Sequence, residues 1–229
     1  MLFAGASSGR SPDSCSNCWN ATIGRDWGCS SWRRHRRGRG HSAARFAPGS
    51  VYPLGVVTIR PATVQDAPAL GRLHVRAWQA AYRGQMPEDY LDGLRPEERA
   101  AGWERSLRRD RDRDPVLVAQ QEDRVVGFAV MGAAEDPQGA GELYAINVDP
   151  DHWGTGAGRA LLATAEAELA RLGYVQAVLW VLPGNARARR FYEVAGWTTD
   201  GAQRTTEVLG VVVPEVRYQR RLRGLPSKP

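Results

Sequence analysis

A mixed α/β domain of α+β character follows from three features of this 229-residue chain. A strand, a glycine-rich turn, a helix and a second strand succeed one another between Glu142 and Leu182. On either side, short runs rich in strand formers alternate with segments whose apolar residues recur at helical spacing. Composition, at 42% hydrophobic and 24% charged, is that of a folded globular chain long enough for one well-buried domain with some excess.

Taken in order, Val56 to Arg60 reads as a first strand closed by Pro61, and Asp66 is expected to cap a helix carrying Leu70, Leu73, Ala77 and Ala81 on one face. Pro87 to Leu94 suggests a turn or short helix. A second helix runs from Pro96 through Trp103 to Leu107 and ends in the alternating charges of Arg108 to Asp114, an exposed loop. Strands at Val116 to Gln120 and Val125 to Met131 are joined at Glu122-Asp123. The alternating segment ELYAINV, Glu142 to Val148, is the next strand, and Arg159 to Leu172 the next helix. The apolar run Ala177 to Leu182 is a strand ended by Pro183. Asn185 can cap a helix through Ala188, Phe191, Tyr192 and Ala195, which Gly196 closes in the left-handed conformation. Final strands are expected near Thr198 to Arg204 and Val211 to Arg221. There is no internal repeat.

Chemistry concentrates in VDPDHWGTGAGRALL, Val148 to Leu162. Gly154, Gly156 and Gly158 let the backbone approach a ligand and turn its N–H groups toward one point, and the following helix adds the positive end of its dipole. The result is an anion cradle that needs no side-chain cation. No G-x-G-x-x-G opens the helix and no Lys-Ser/Thr pair follows the glycines, so neither the dinucleotide fingerprint nor the P-loop is present. A second motif, PGNARARRFYEVAGW, spans Pro183 to Trp197.

With these two motifs in this order, the sequence resembles the GCN5-related N-acetyltransferase (GNAT) superfamily over residues 57–222. The resemblance implies a central, mostly antiparallel twisted sheet, splayed between its fourth and fifth strands and flanked by about four helices. It also implies that Trp153, Gly154, Thr155, Gly156, Ala157, Gly158 and Arg159 hold the pyrophosphate of acetyl-CoA. Ile146, Asn147 and Val148 would pair with pantetheine, Asn185 would contact it, and Tyr192 would donate a proton to the coenzyme A thiolate. One position departs from the family pattern: Trp153 stands where the family usually has Gln or Arg. His152 and Arg159 are neighbouring donors. The segment His74 to Leu94 also looks like the acceptor segment of uncharacterised bacterial members of the superfamily.

Acyl transfer to an amine needs a group that takes the amine's proton. Glu142, opening the strand beside the thioester, is the first choice. Asp149 is read as a turn cap, and His74, among Leu70, Leu73 and Ala77, as a packed histidine. Trp78 and Tyr82, with Tyr90 and Trp103, either wall an acceptor site for a cationic amine or pack the core. The expected acceptor is a primary amine, on a small molecule or a peptide. No metal is expected, and the oligomeric state is monomer or homodimer. A non-catalytic acyl-CoA sensor is the alternative reading.

Residues 1–55 differ from the rest. They hold eight Arg and two Asp, the whole net charge of +6, while 23 basic and 23 acidic residues balance thereafter. A leader so rich in Ser, Gly and Arg is expected to be disordered. Its Cys15, Cys18, Cys29 and His35 match a zinc site only loosely, and its Arg run could bind nucleic acid, which the neutral domain argues against. Lys228 is the single lysine, as in a GC-rich coding sequence, and Val57 can be read from a GUG codon, so translation is expected to start near Val57. All three cysteines lie in this leader, which excludes a cysteine nucleophile from the domain at 56–222. A tail at 223–229 is expected to be flexible. No run of eighteen apolar residues and no signal-peptide pattern is present, from which a cytoplasmic location is expected.

Overall fold

The structure, a computed structural model, describes residues 57–109, 114–208 and 211–222. The leader at 1–55 with its proposed zinc ligands, residues 110–113 of the charged loop, and the tail at 223–229 lie outside the described residues.

One sheet of seven strands organises the domain: β1 (Val57–Pro61), β2 (Val116–Gln121), β3 (Arg124–Ala133), β4 (Gly141–Val148), β5 (Gln176–Val181), β6 (Thr198–Val208) and β7 (Val211–Arg221). Their order is β1-β2-β3-β4-β5-β7-β6, and every neighbouring pair is antiparallel except β4 with β5. Helices α1 (Ala67–Tyr82), α2 (Glu88–Asp92), α3 (Pro96–Leu107), α4 (Ala157–Arg171) and α5 (Ala186–Val194) complete it, the short α2 making five helices where about four are expected.

Alternation along the central strands assigns the two faces of the sheet. Leu117, Ala119, Ala129 and Met131 face α4, meeting Leu161, Ala165 and Leu169 in one cluster. Their neighbours Val116, Val118, Phe128 and Val130 face the other way, onto Leu70, Leu73 and Ala77 of α1 and Trp103 of α3. Both faces are covered, which is why these strands read as nearly continuous apolar runs. Trp103 is therefore a core residue, 1% exposed.

Asp66 does not cap α1 through its side chain. Thr63 instead starts a single 3-10 turn at Val64–Asp66, and the Asp66 carboxylate accepts from the Thr63 backbone N–H at 2.7 Å and from the Arg60 guanidinium at 2.7 and 2.8 Å. A buried carboxylate this close to a guanidinium is worth more as an ion pair tying β1 to the helix entry than as a cap.

β4 and β5 pair only at Gly141↔Ala177 and Glu142↔Val178. Immediately beyond, the register of β4 against β3 slips by one residue, Met131 facing Leu143 while Val130 faces Ala145. Tyr144 is the extra residue of this bulge, and a bulge bends its strand and increases local twist. The bend carries the rest of β4 away from β5 and leaves the β5-facing edge of Ile146–Val148 open. Among the described residues, no helix is long and apolar enough to cross a membrane.

Candidate active site

The glycine turn is fixed from both ends. After β4, the Asp149 carboxylate accepts from Asp151 N–H at 3.0 Å, and Arg76 of α1 holds Asp149 at 3.0 Å and Asp151 at 2.7 Å. The Trp153 indole N–H donates to the Val148 carbonyl at 2.9 Å, and the Thr155 hydroxyl to the His152 carbonyl at 2.8 Å. Gly154 at φ +82° and Gly156 at φ +96° take left-handed conformations that other L-residues rarely adopt, although neither would meet an atom within 4 Å at its Cβ. Conformation, not space, requires glycine here. Gly156 is the N-cap of the 15-residue α4 and has no side chain to occupy its first-turn N–H groups.

This turn opens into a cleft of about 620 Å³ between the separated β4 and β5, within the ordinary range for small-molecule sites. Arg159, Arg187 and Arg190 line it. None of the three is in an ion pair among the described residues. The Arg187 guanidinium lies over the Trp153 ring, so the tryptophan that departs from the family pattern seats a cation from α5 beside the turn. A cradle of free N–H groups, three guanidiniums outside any ion pair among the described residues and an adjoining open strand edge fit an elongated phosphorylated thiol ester.

At the centre of the cleft, Tyr192 of α5 is 7% exposed and packs against Phe191, Trp197 and Tyr218. Burial, with the neighbouring Tyr82 phenol, pushes its hydroxyl above the ordinary phenol value, so it remains protonated. Asn185, also on the cleft, accepts from the Ala188 N–H at 3.0 Å and caps α5.

The far end is built from α1, the segment after it, β5 and β7: Trp78, Tyr82, Met86, Trp180, Val213 and Glu215. Trp78 and Tyr82 meet edge to face at 5.2 Å, with the buried Arg99 5.9 Å behind Trp78. Tyr90 is not on the cleft; its hydroxyl accepts from Arg99 at 3.2 Å. Glu215, 2% exposed, accepts from the Arg204 Nε at 2.7 Å, the two standing opposite each other in the β6–β7 register. Burial and the Glu215 charge push the Tyr82 phenol up to about 12.

Glu142 occupies the last position of β4 that pairs with β5 and is 4% exposed. It is not itself on the cleft lining, whereas Leu143 and Tyr144 are. Burial raises its carboxyl to about 7 against the opposing pull of Arg204. His74 lines the cleft from beneath with neither ring nitrogen hydrogen-bonded, and burial and Arg99 push it down to about 3. It is a neutral packing residue among Trp78, Trp103 and Phe128.

Residues 54–197 match the family model described as the Acetyltransferase (GNAT) family. The chain belongs to the GNAT acetyltransferases. Among similar GNAT proteins, the uncharacterized N-acetyltransferase YuaI of Bacillus subtilis is 37% identical over 134 residues, 57% of this chain and 74% of that protein. The mycothiol acetyltransferase of Saccharopolyspora erythraea is 35% identical over 156 residues, 65% of this chain but only 46% of that protein. In fold, the GNAT domain is similar to the PaiA N-acetyltransferase of Thermoplasma acidophilum, solved in complex with coenzyme A. That likeness has a TM-score of 0.60 at 18% identity over 72% of this chain and 98% of the other. This GNAT chain is thus an acyltransferase of the N-acetyltransferase kind.

Sequence reading missed Arg187, Arg190, Trp180, Met86, Val213 and Glu215. For Glu215 a partial signal existed: in VVVPEV the acid falls in alternation with Val211 and Val213.

Proposed function

We propose that this protein transfers the acetyl group of acetyl-CoA to a primary amine, on a small molecule or a protein N-terminus, directly within a ternary complex. The observation that carries this reading is the continuity of one cleft from the Gly154–Gly158 turn, along the open β4 edge, to Tyr192. Backbone N–H groups of Gly154 to Arg159 and the guanidiniums of Arg159, Arg187 and Arg190 would hold the phosphates. The free edge at Ile146, Asn147 and Val148, with Asn185, would hold the pantetheine arm.

Bound acetyl-CoA supplies an acetyl group activated as a thioester, with sulfur as the leaving atom. The Tyr192 hydroxyl, having no hydrogen bond among the described residues, is free to donate one to that sulfur. Its raised pKa favours a hydrogen bond held throughout over complete proton release. Glu142, raised to about 7 behind the cleft lining next to Leu143, would take the amine's proton through an intervening water. Trp78 and Tyr82 wall the acceptor.

Calorimetric titration of acetyl-CoA into the full chain and its Gly156→Glu variant tests this. Binding by the wild type, abolished in the variant by a bulky anion at φ +96°, is expected. Thiol release is then measured across an amine panel. Acetyl-CoA binding without thiol release for any amine would leave the sensor reading instead.

A further inference from the structure

We propose that Glu215 is the specificity-determining carboxylate of the acceptor end, and that it selects cationic primary amines with an apolar body and rejects amines carrying a carboxylate beside the nitrogen. The inference rests on the N-acetyltransferase reading and names the substrate class of the same site.

Glu215 projects from β7 into the cleft wall, two residues from Val213 in a segment whose alternation places both on the same side. At 2% exposure, an ionised carboxylate is costly unless its oxygens are satisfied. Arg204 supplies one hydrogen bond, from Nε to Oε2. Oε1 has none among the described residues. The Arg204 guanidinium is also committed to the face of Trp180, its carbon 4.2 Å from the ring centroid. Stacked there, the guanidinium reaches the carboxylate through Nε and leaves the second oxygen uncovered.

The cations around Glu215 are already engaged. Arg204 is shared with Glu142, on which both it and Glu215 act. Of the other nearby cations, Arg217 is committed to Asp136 at 3.0 Å and Asp200 at 2.8 Å, and Arg99 lies behind Trp78 on the Tyr90 hydroxyl. An incoming ammonium completes the shell of Glu215 as a charge-assisted donor to its second oxygen. Trp78, Tyr82, Met86 and Val213 offer the acceptor apolar surface, one phenol and one indole N–H, and no charge. An amine with an adjoining carboxylate would bury a second anion against Glu215, whose Arg204 is already bonded and whose neighbour Arg217 is already paired, a costly arrangement in a desolvated site.

The probes are 2-phenylethylamine, its neutral isostere 2-phenylethanol and its carboxylated counterpart phenylalanine. Their binding is measured calorimetrically on the full chain loaded with coenzyme A, so that no turnover occurs. In the wild type, 2-phenylethylamine is expected to bind roughly tenfold or more tightly than either of the others. Glu215→Gln, which keeps the shape and an acceptor for Arg204, is expected to erase that preference while coenzyme A affinity stays within about twofold. Retained coenzyme A binding shows that the variant is folded. Equal binding of amine and alcohol by the wild type, an unchanged preference in Glu215→Gln, or no probe binding at all would each overturn the proposal. Thiol release from acetyl-CoA is read in parallel: selective amine binding without release leaves the Glu215 site standing and refutes the transferase reading.

Discussion

The guanidinium carbon of Arg187 lies 3.8 Å from the centroid of the Trp153 ring. Trp153 is itself pinned by its indole N–H to the carbonyl that ends β4, so the stack converts an aromatic side chain into a mount for a cation at the phosphate turn. Arg187→Ala is expected to raise the acetyl-CoA Kd by about tenfold, the cost of one charge-assisted phosphate contact. Trp153→Ala, which leaves the arginine unmounted, is expected to cost roughly fivefold. Titration calorimetry at two salt concentrations checks both. An arginine variant that binds as tightly as wild type at low salt would remove Arg187 from the site.

Tyr192→Phe deletes one hydroxyl from a ring already fixed by Phe191, Trp197 and Tyr218. Turnover is expected to fall about 10²-fold with acetyl-CoA affinity nearly unchanged. Steady-state kinetics with equilibrium titration separates the two quantities, and an unaltered kcat would rule out the donor role.

Glu142 makes stability depend on pH in an unusual direction. The folded chain holds its proton up to about 7, whereas the unfolded carboxyl releases it near 4.5. Between these values the folded state binds the extra proton, so stability falls as pH rises, by about 3 kcal/mol in all from this group. Glu142→Gln removes the dependence. Denaturant midpoints at pH 5 and pH 8 are expected to show the variant gaining on the wild type at the higher pH; parallel shifts would mean the carboxyl is not desolvated. The rate of acetyl transfer should rise through about pH 7, and lose that limb in the same variant.

His74 acts oppositely. Folded, it resists protonation until about 3, while the unfolded imidazole protonates near 6.5. The unfolded chain therefore takes up the extra proton below 6.5, and about 3 kcal/mol is lost by pH 4. His74→Leu is expected to flatten this acid limb without weakening the protein at neutral pH, because neither ring nitrogen has a partner to lose. Acid titrations followed by tryptophan fluorescence measure it.

What could be read from sequence was local in the chain. The glycine turn, the Asn185 cap and the order of strands depend on residues a few positions apart, and each motif carries its own geometry. Asp66 misled because Arg60, six residues back, draws its carboxylate away from the helix end. The aromatic residues of the first helices could not be sorted, since α1 is buried on two sides: Leu70 and Leu73 against the sheet, Val75 and Trp78 against the α2 segment. Nothing in the sequence showed the Tyr144 bulge, which exists only as a mismatch of register between two strands. Glu215 and Trp180 reach the cleft through strand pairings with β6 and β7, whose register no short motif encodes.

Two residue pairs are all that bind β1–β4 to β5–β7 along the sheet. Past them the two halves of the sheet diverge over a shared core, in which Leu143 and Leu161 cluster with Leu179 and Tyr218, and whatever lies between serves as the missing rungs. A co-substrate spanning the gap therefore does mechanical service as well as chemical. Amide exchange at Ile146–Val148 should slow when it binds, and the unfolding midpoint should rise with its concentration.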